Sequence, residues 1–397
     1  MLSPLGLSPS FGFGDRLGLA TPGHIAALRA SRMALSPVFA QQSIRENTRT
    51  GRTPQQVIDD AKRAVEAAGW DKPWGADADH LKTVEDLPPF VQAGYTFFTV
   101  DPGAHVDNAA DTDSLPVLQE KATKSRRTSG DGQNWDELSA LYLTGNGEAG
   151  FGMFDSESLL RALVKYGRAI RQTVTMYRRL TELKETFDFE VSVDETDAPT
   201  TPLEHFFIAN ELTRAGVKFT SLAPRFIGRF EKGVDYIGNL TALDAEMAKH
   251  AAVTAYFGTY KISLHSGSDK FSVYPLMVKH WGQRIHVKTA GTSYLEGLRV
   301  LAVAEPALFE RIWALGLERY ATDRATYHVS ADPAQVPAGL ALPALLDDFH
   351  AREILHVTFG SALMEFGAEI KSALVKHANL YQTGLQKHFR NHLDLLK

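Results

Sequence analysis

One pattern constrains the fold of this chain more than any other: short apolar, β-rich runs alternate with helical stretches along most of its length. The strand-like runs fall at 12–19, 38–43, 74–80, 95–101, 187–193, 218–223, 260–265, 285–289 and 354–359. Most are bounded by Gly, Pro, Asp or Ser, which break a strand. Helical stretches at 53–68, 156–184, 203–215, 242–257 and 294–303 separate many of them. Such alternation builds βαβ units around a parallel sheet. Nine candidates compete for the eight places of a (β/α)8 TIM-like barrel, and the last, beyond a long helical C-terminal segment, is expected to be surplus.

An open doubly wound sheet is the competing architecture. It would show a Gly-rich first turn, but Gly12-Phe13-Gly14-Asp15-Arg16-Leu17-Gly18 is one residue too long for the dinucleotide fingerprint. A tight turn after a strand is the better reading. Residues 102–154 shift to Gly, Asp, Ser, Thr and Lys, with a basic run at 121–127 and a glycine-rich run at 129–132. They read as a long βα insertion or lid. With 397 residues the chain is long enough for two or three domains, but one elaborated barrel, 1–397, accommodates it.

The chain has no cysteine, so disulfides, zinc ribbons, iron–sulfur clusters and a thiol nucleophile are excluded. Any metal must be held by His, Asp and Glu. A net charge of −5 argues against nucleic acid or an anionic membrane as partner. No run of apolar residues is long enough to span a bilayer. Residues 1–9 lack a signal-peptide pattern, so a cytoplasmic location is expected.

Ionisable residues gather at the C-terminal ends of the strands, the catalytic face of such a barrel. Asp79 and His80, Asp101, Asp194 and Glu195, His265 and Lys288 all fall there. Taken singly, such a His reads as a satisfied core residue and such an Asp as a helix cap. Glu190 is different. In Phe187-Asp188-Phe189-Glu190-Val191-Ser192-Val193, period two puts Glu190, Ser192 and Asp194 on one face and apolar residues on the other. The apolar face packs on helices, so Glu190 points into the barrel, where a carboxylate needs a partner.

Several longer motifs resemble the tagaturonate epimerase family. They are Ser10-Phe11-Gly12-Phe13-Gly14-Asp15-Arg16-Leu17-Gly18, Phe39-Ala40-Gln41-Gln42-Ser43-Ile44-Arg45-Glu46-Asn47 and Gly75-Ala76-Asp77-Ala78-Asp79-His80. The stretches 187–196, 225–233, 260–274 and 286–295, and Leu355-His356-Val357-Thr358-Phe359-Gly360-Ser361, extend the resemblance over nearly the whole chain. The insertion after Asp101 departs from the family pattern.

The resemblance implies a metal-dependent epimerase that interconverts D-tagaturonate and D-fructuronate. It implies acid/base roles for Asp79 and Glu190, and one divalent cation (Zn, Mn, Ni or Co) held by His80, Glu231 and His265. Asp15, Arg16, Gln42, Arg45, Asp194 and Lys288 are the substrate-binding candidates. For the substrate's carboxylate, Arg16, Arg45, Lys270 and Lys288 are the available cations. A ketohexose 4-epimerase acting on fructose or tagatose, a metal-dependent class II-type aldolase and a catalytically dead sugar-binding barrel are the alternatives. The expected partner is a small sugar acid or ketose. The sequence leaves the oligomeric state open, a homo-oligomer included.

Overall fold

The computed structural model describes residues 1–31, 33–129, 135–143 and 150–397. Eight parallel strands close into a barrel in chain order. They are β1 (Ser10–Gly14), β2 (Ser36–Ser43), β3 (Gly75–Leu81), β4 (Phe97–Val100), β5 (Asp188–Ser192), β6 (Ser221–Ala223), β7 (Lys261–Leu264) and β8 (Ile285–Thr289). Pairing of Ser10 with His286 and of Gly12 with Lys288 closes the ring between β1 and β8.

The first eight sequence candidates are these eight strands. The ninth is not a strand: 354–359 spans the end of helix Phe349–Val357 and the start of helix Phe359–Lys376. Ala351, Ile354, Leu355 and Val357 are all buried. A short segment that is apolar on every side has the same sequence signature as a buried strand.

Local sequence explains where the outer helices begin. Ser43 with Glu46, Thr53 with Gln56 and Thr201 with Glu204 form capping boxes, each pair satisfying two otherwise orphaned N–H groups. Pro54 and Pro202 occupy first helical positions, where a missing N–H costs nothing.

The C-terminal segment wraps back onto the barrel. Helix Ala378–Asp394 packs on helix Thr21–Ser31 so closely that a Cβ on Gly23 would stand 2.5 Å from Leu385 Cβ. One hydrophobic cluster therefore runs from Phe11 to Leu396.

Within 102–154, helices Leu115–Ser129 and Trp135–Tyr142 pack along the long helix Ser156–Leu183. The glycine-rich run expected at 129–132 lies outside the described residues from 130 onward. Among the described residues no helix is long and apolar enough to cross a membrane.

Candidate active site

The barrel interior is polar at its catalytic end. Lys288 on β8 is buried, and its ammonium lies 2.6 Å from Asp77, 2.8 Å from Asp79 and 2.8 Å from Glu190. Thr99 on β4 accepts from Lys288 and donates to Asp77 at 2.9 Å. Ser221 donates to the second oxygen of Glu190. Thr99, Glu190 and Ser221 are register partners on adjacent strands. The inward orientation of Glu190 is thus as expected from period two, with Phe189 and Val191 buried on the outer side.

Three carboxylates around one ammonium cannot be equivalent. Burial would raise Glu190, but Lys288 and His265 outweigh it and hold it well below the usual carboxylate range. Asp79 is likewise held down, by His80 and Lys288 against burial. For Asp77, burial wins over Lys288, and Asp79 and Glu190 reinforce it, pushing the group up to about 7. The set therefore contains ionised and protonatable carboxyls side by side, the condition for moving protons near neutrality.

His265 follows β7, and its two ring nitrogens face Glu190 at 2.6 Å and Asp194 at 3.2 Å. Burial opposes its charge, but Asp194 and Glu190 overcome burial and Lys288, raising it to about 10. His80 reaches the same place by an irregular route. Period two would send it outward, opposite Asp79. The β3–β4 register breaks between Ala78 and Leu81, and His80 takes φ 55°. This bulge turns both neighbours to one side. The rings of His80 and His265 stand 5.0 Å apart.

Ligand atoms of Asp79, His80 and His265 lie within 4.8 Å of one another. His80 Nδ1 is buried with no hydrogen-bond partner. Two imidazoles, a carboxylate and an orphaned nitrogen suit a divalent ion. Glu231 is outside that convergence. Its carboxylate accepts from the Ser330 N–H and hydroxyl at 2.8 and 2.9 Å, while it still lines the adjoining cavity.

That cavity, about 410 Å³, opens beside Asp194, Glu195 and His265 and is walled by 224–232 and 327–330. A recess of about 30 Å³ adjoins it and is lined by Asp79, His80, Lys288, Lys232, Ser266 and His356. Among the described residues, the wall opposite the barrel comes from the C-terminal segment rather than from 102–154.

The remaining candidates are tied to the scaffold. Asp15 accepts from the N–H groups of Leu17, Gly18, Leu19 and Ala20, so it closes the β1 turn. Arg16 pairs with Glu46 at 2.9 Å and stacks on Phe359. Gln42 bonds Thr50 and Arg52. Arg45 pairs with Glu195 at 3.1 Å over the Tyr327 ring. Lys270 donates to the carbonyls of Glu231, Val234 and Ser268. Sequence reading missed Asp77, Thr99 and Ser221. The pattern Ala76-Asp77-Ala78-Asp79 carried a signal, since period two sets both aspartates on one face.

A second set, Asp269, His388 and His392, also brings its ligand atoms within 4.8 Å. Here the atoms are used. Asp269 pairs with His388 at 2.6 Å and with Arg352 at 3.0 Å, and accepts from Thr292 at 2.9 Å. His392 Nε2 accepts the Asp269 N–H at 3.0 Å and its Nδ1 faces the His388 carbonyl. That occupied lone pair leaves no imidazole nitrogen of His392 free for an ion.

Comparison with known proteins gives a consistent result. A family model described as tagaturonate epimerase matches residues 3–396. The tagaturonate/fructuronate epimerase of Thermotoga maritima is 44% identical over 404 residues, covering 99% of this chain and 81% of that protein. A glycerol-complexed crystal structure of the fructuronate-tagaturonate epimerase of Cohnella laeviribosi superposes with a TM-score of 0.93. It is 37% identical and the match covers 100% of this chain and 83% of that one. The native structure of the same enzyme gives 0.93 at 38% identity, with the same coverage of both chains.

Proposed function

The chain belongs to the tagaturonate epimerase family and is an isomerase-type enzyme, and from that premise we propose that it inverts C4 of a ketohexuronate, interconverting D-tagaturonate and D-fructuronate, with the help of one divalent ion. The observation that carries the metal dependence is the convergence of Asp79, His80 and His265 beside an unpartnered His80 nitrogen. His80 and His265 would hold the ion. Asp79 would supply the carboxylate of the set, and Glu231, expected as a ligand, would have to leave Ser330 to join it. When bound, the ion supplies Lewis acidity for the C2 carbonyl oxygen.

The chemistry follows from the substrate. The C2 ketone acidifies the C3 hydrogen but not the C4 hydrogen, so direct deprotonation at C4 is unfavourable. Cleavage of the C3–C4 bond avoids it. Removing the C4 hydroxyl proton turns C4 into an aldehyde, and the bonding pair stays on C3 as an enediolate. Rotation of the aldehyde and re-addition invert C4.

Asp79 lines the recess and is kept ionised, as a base requires. Glu190 is the second carboxyl. It is fully buried and does not line the recess, and Lys288 stands 2.8 Å from both. The walls from 224–232 and 327–330 keep water from the intermediate aldehyde. We read 1–397 as one catalytic domain with its excess length in 102–154 and the C-terminal helices.

The test joins metal analysis of the purified protein to turnover of D-fructuronate in D₂O. A stoichiometric divalent ion, activity lost on chelation and no deuterium at C4 are expected. Normal turnover by metal-stripped protein would overturn the ion, and deuterium at C4 would overturn the cleavage route.

A further inference from the structure

A hexuronate differs from a neutral ketohexose only in the carboxylate at its far end, so the cation that receives this group decides specificity. The cations expected from sequence are already engaged: Arg16 by Glu46, Arg45 by Glu195, Lys288 by three carboxylates and Lys270 by three carbonyls. Arg229, which lines the cavity, pairs with Glu231 at 3.4 Å.

Lys232 and Arg225 remain, and of the two only Lys232 also lines the recess. Among the described residues it has no carboxylate within ion-pair distance, and its ammonium donates to the Ser266 hydroxyl at 2.6 Å. It lines both the large cavity and the recess that contains Asp79 and His80. Ser266 directly follows His265 and is held at φ 49°, a conformation that a serine adopts only under tertiary constraint. On the same recess, His356 is buried and its Nδ1 has no hydrogen-bond partner.

We propose that Lys232, with the Ser266 hydroxyl and the His356 imidazole, is the seat of the substrate's terminal carboxylate. This rests on the function proposed above. A carboxylate there meets a full charge, a hydroxyl and an imidazole nitrogen that otherwise lacks a partner. Lys232 already acts on the groups around the seat. Burial keeps His356 neutral, and Arg16, Lys232 and Arg352 all add to that effect. The His356 motif, which read as a strand from sequence, thus serves the site from the C-terminal segment.

Initial-rate kinetics on D-fructuronate with Lys232→Met, Lys232→Arg and Arg225→Met tests the seat, Arg225 being another cation on the wall of the large cavity. Lys232→Met should raise KM about 10- to 100-fold, the value of one charge-assisted hydrogen bond, with kcat changed far less. Lys232→Arg should recover most of the loss, which also shows that the variants fold. An unchanged KM in Lys232→Met, a loss confined to kcat, or the same KM rise in Arg225→Met overturns the seat. Wild-type protein that fails to convert fructuronate overturns the functional reading instead. Calorimetric binding of fructuronate to wild type and Lys232→Met then decides the seat separately, equal affinities overturning it.

Discussion

Asp79, His80 and His265 at the barrel mouth, and Asp269, His388 and His392 beneath the last helix, are each one carboxylate and two imidazoles with ligand atoms within 4.8 Å. Composition does not separate them; the unpartnered Nδ1 of His80 does, since His265, like His392, has both ring nitrogens engaged. In the second set both carboxylate oxygens and the N–H of Asp269 are bonded to protein, and His392 has its acceptor nitrogen occupied. It pins the loop after β7, where Asp269 takes φ 62°, to the C-terminal helices. In the first set His80 Nδ1 is left over and a cavity adjoins. A buried polar atom without a partner costs free energy, and an ion bound as proposed would relieve that cost at His80.

The comparison breaks most visibly through His265→Ala. Activity should fall on the order of 10³-fold with metal content, because the loss removes Lewis acid and base positioning together. The variant also strands the buried carboxylates of Glu190 and Asp194, so its unfolding midpoint should fall too, and metal content is the readout that separates the two clusters. Metal retained at full stoichiometry in this variant would remove His265 from the ligand set.

Asp269→Asn should cost stability alone. Burial disfavours the Asp269 charge, but Arg352 and His388 hold it well below the usual range. Removing the charge strands buried cations, at a cost of about 3–5 kcal/mol in urea unfolding. Metal per chain should stay at the wild-type value. Loss of the ion without loss of stability would reverse the assignment of the two clusters.

The smallest effect is a pH slope. Burial, only partly offset by Asp269, lowers His392 from 6.5 to about 3. The folded state therefore excludes a proton that the unfolded chain binds. Stability from this group is complete above pH 6.5 and is lost as pH falls towards 3, at about 1.4 kcal/mol per pH unit. His392→Gln keeps an acceptor for the Asp269 N–H and should flatten the slope of unfolding free energy between pH 6 and 4. An unchanged slope would show that His392 is not the proton-excluding group.

Glu190 was legible from sequence because a strand alternates faces, and a lone carboxylate among Phe and Val residues has one direction to point. Asp77 carried the same signal on β3. His80 could not be placed that way: alternation puts it outside, and only the bulge with its positive φ brings it in. The run 354–359 stood among the strand candidates as the one expected to be surplus, and it is helical: burial on all sides erases the periodicity that distinguishes the two. Arg16 and Arg45 looked available for a substrate, yet Glu46 and Glu195 had claimed them across the chain.

By itself the sequence determined the barrel, its strand order and the carboxylates that point inward, because periodicity and turn chemistry are local. It also determined, through the absence of cysteine, that any metal site must be built from His and carboxylate. Tertiary structure alone decided which charges are spent and which are free. Whether Lys232, Lys270 or Arg45 can receive a ligand depends on partners up to 150 residues away in the case of Arg45 and Glu195. Pair energies fall off over a few ångströms, and distance along the chain carries no information about them.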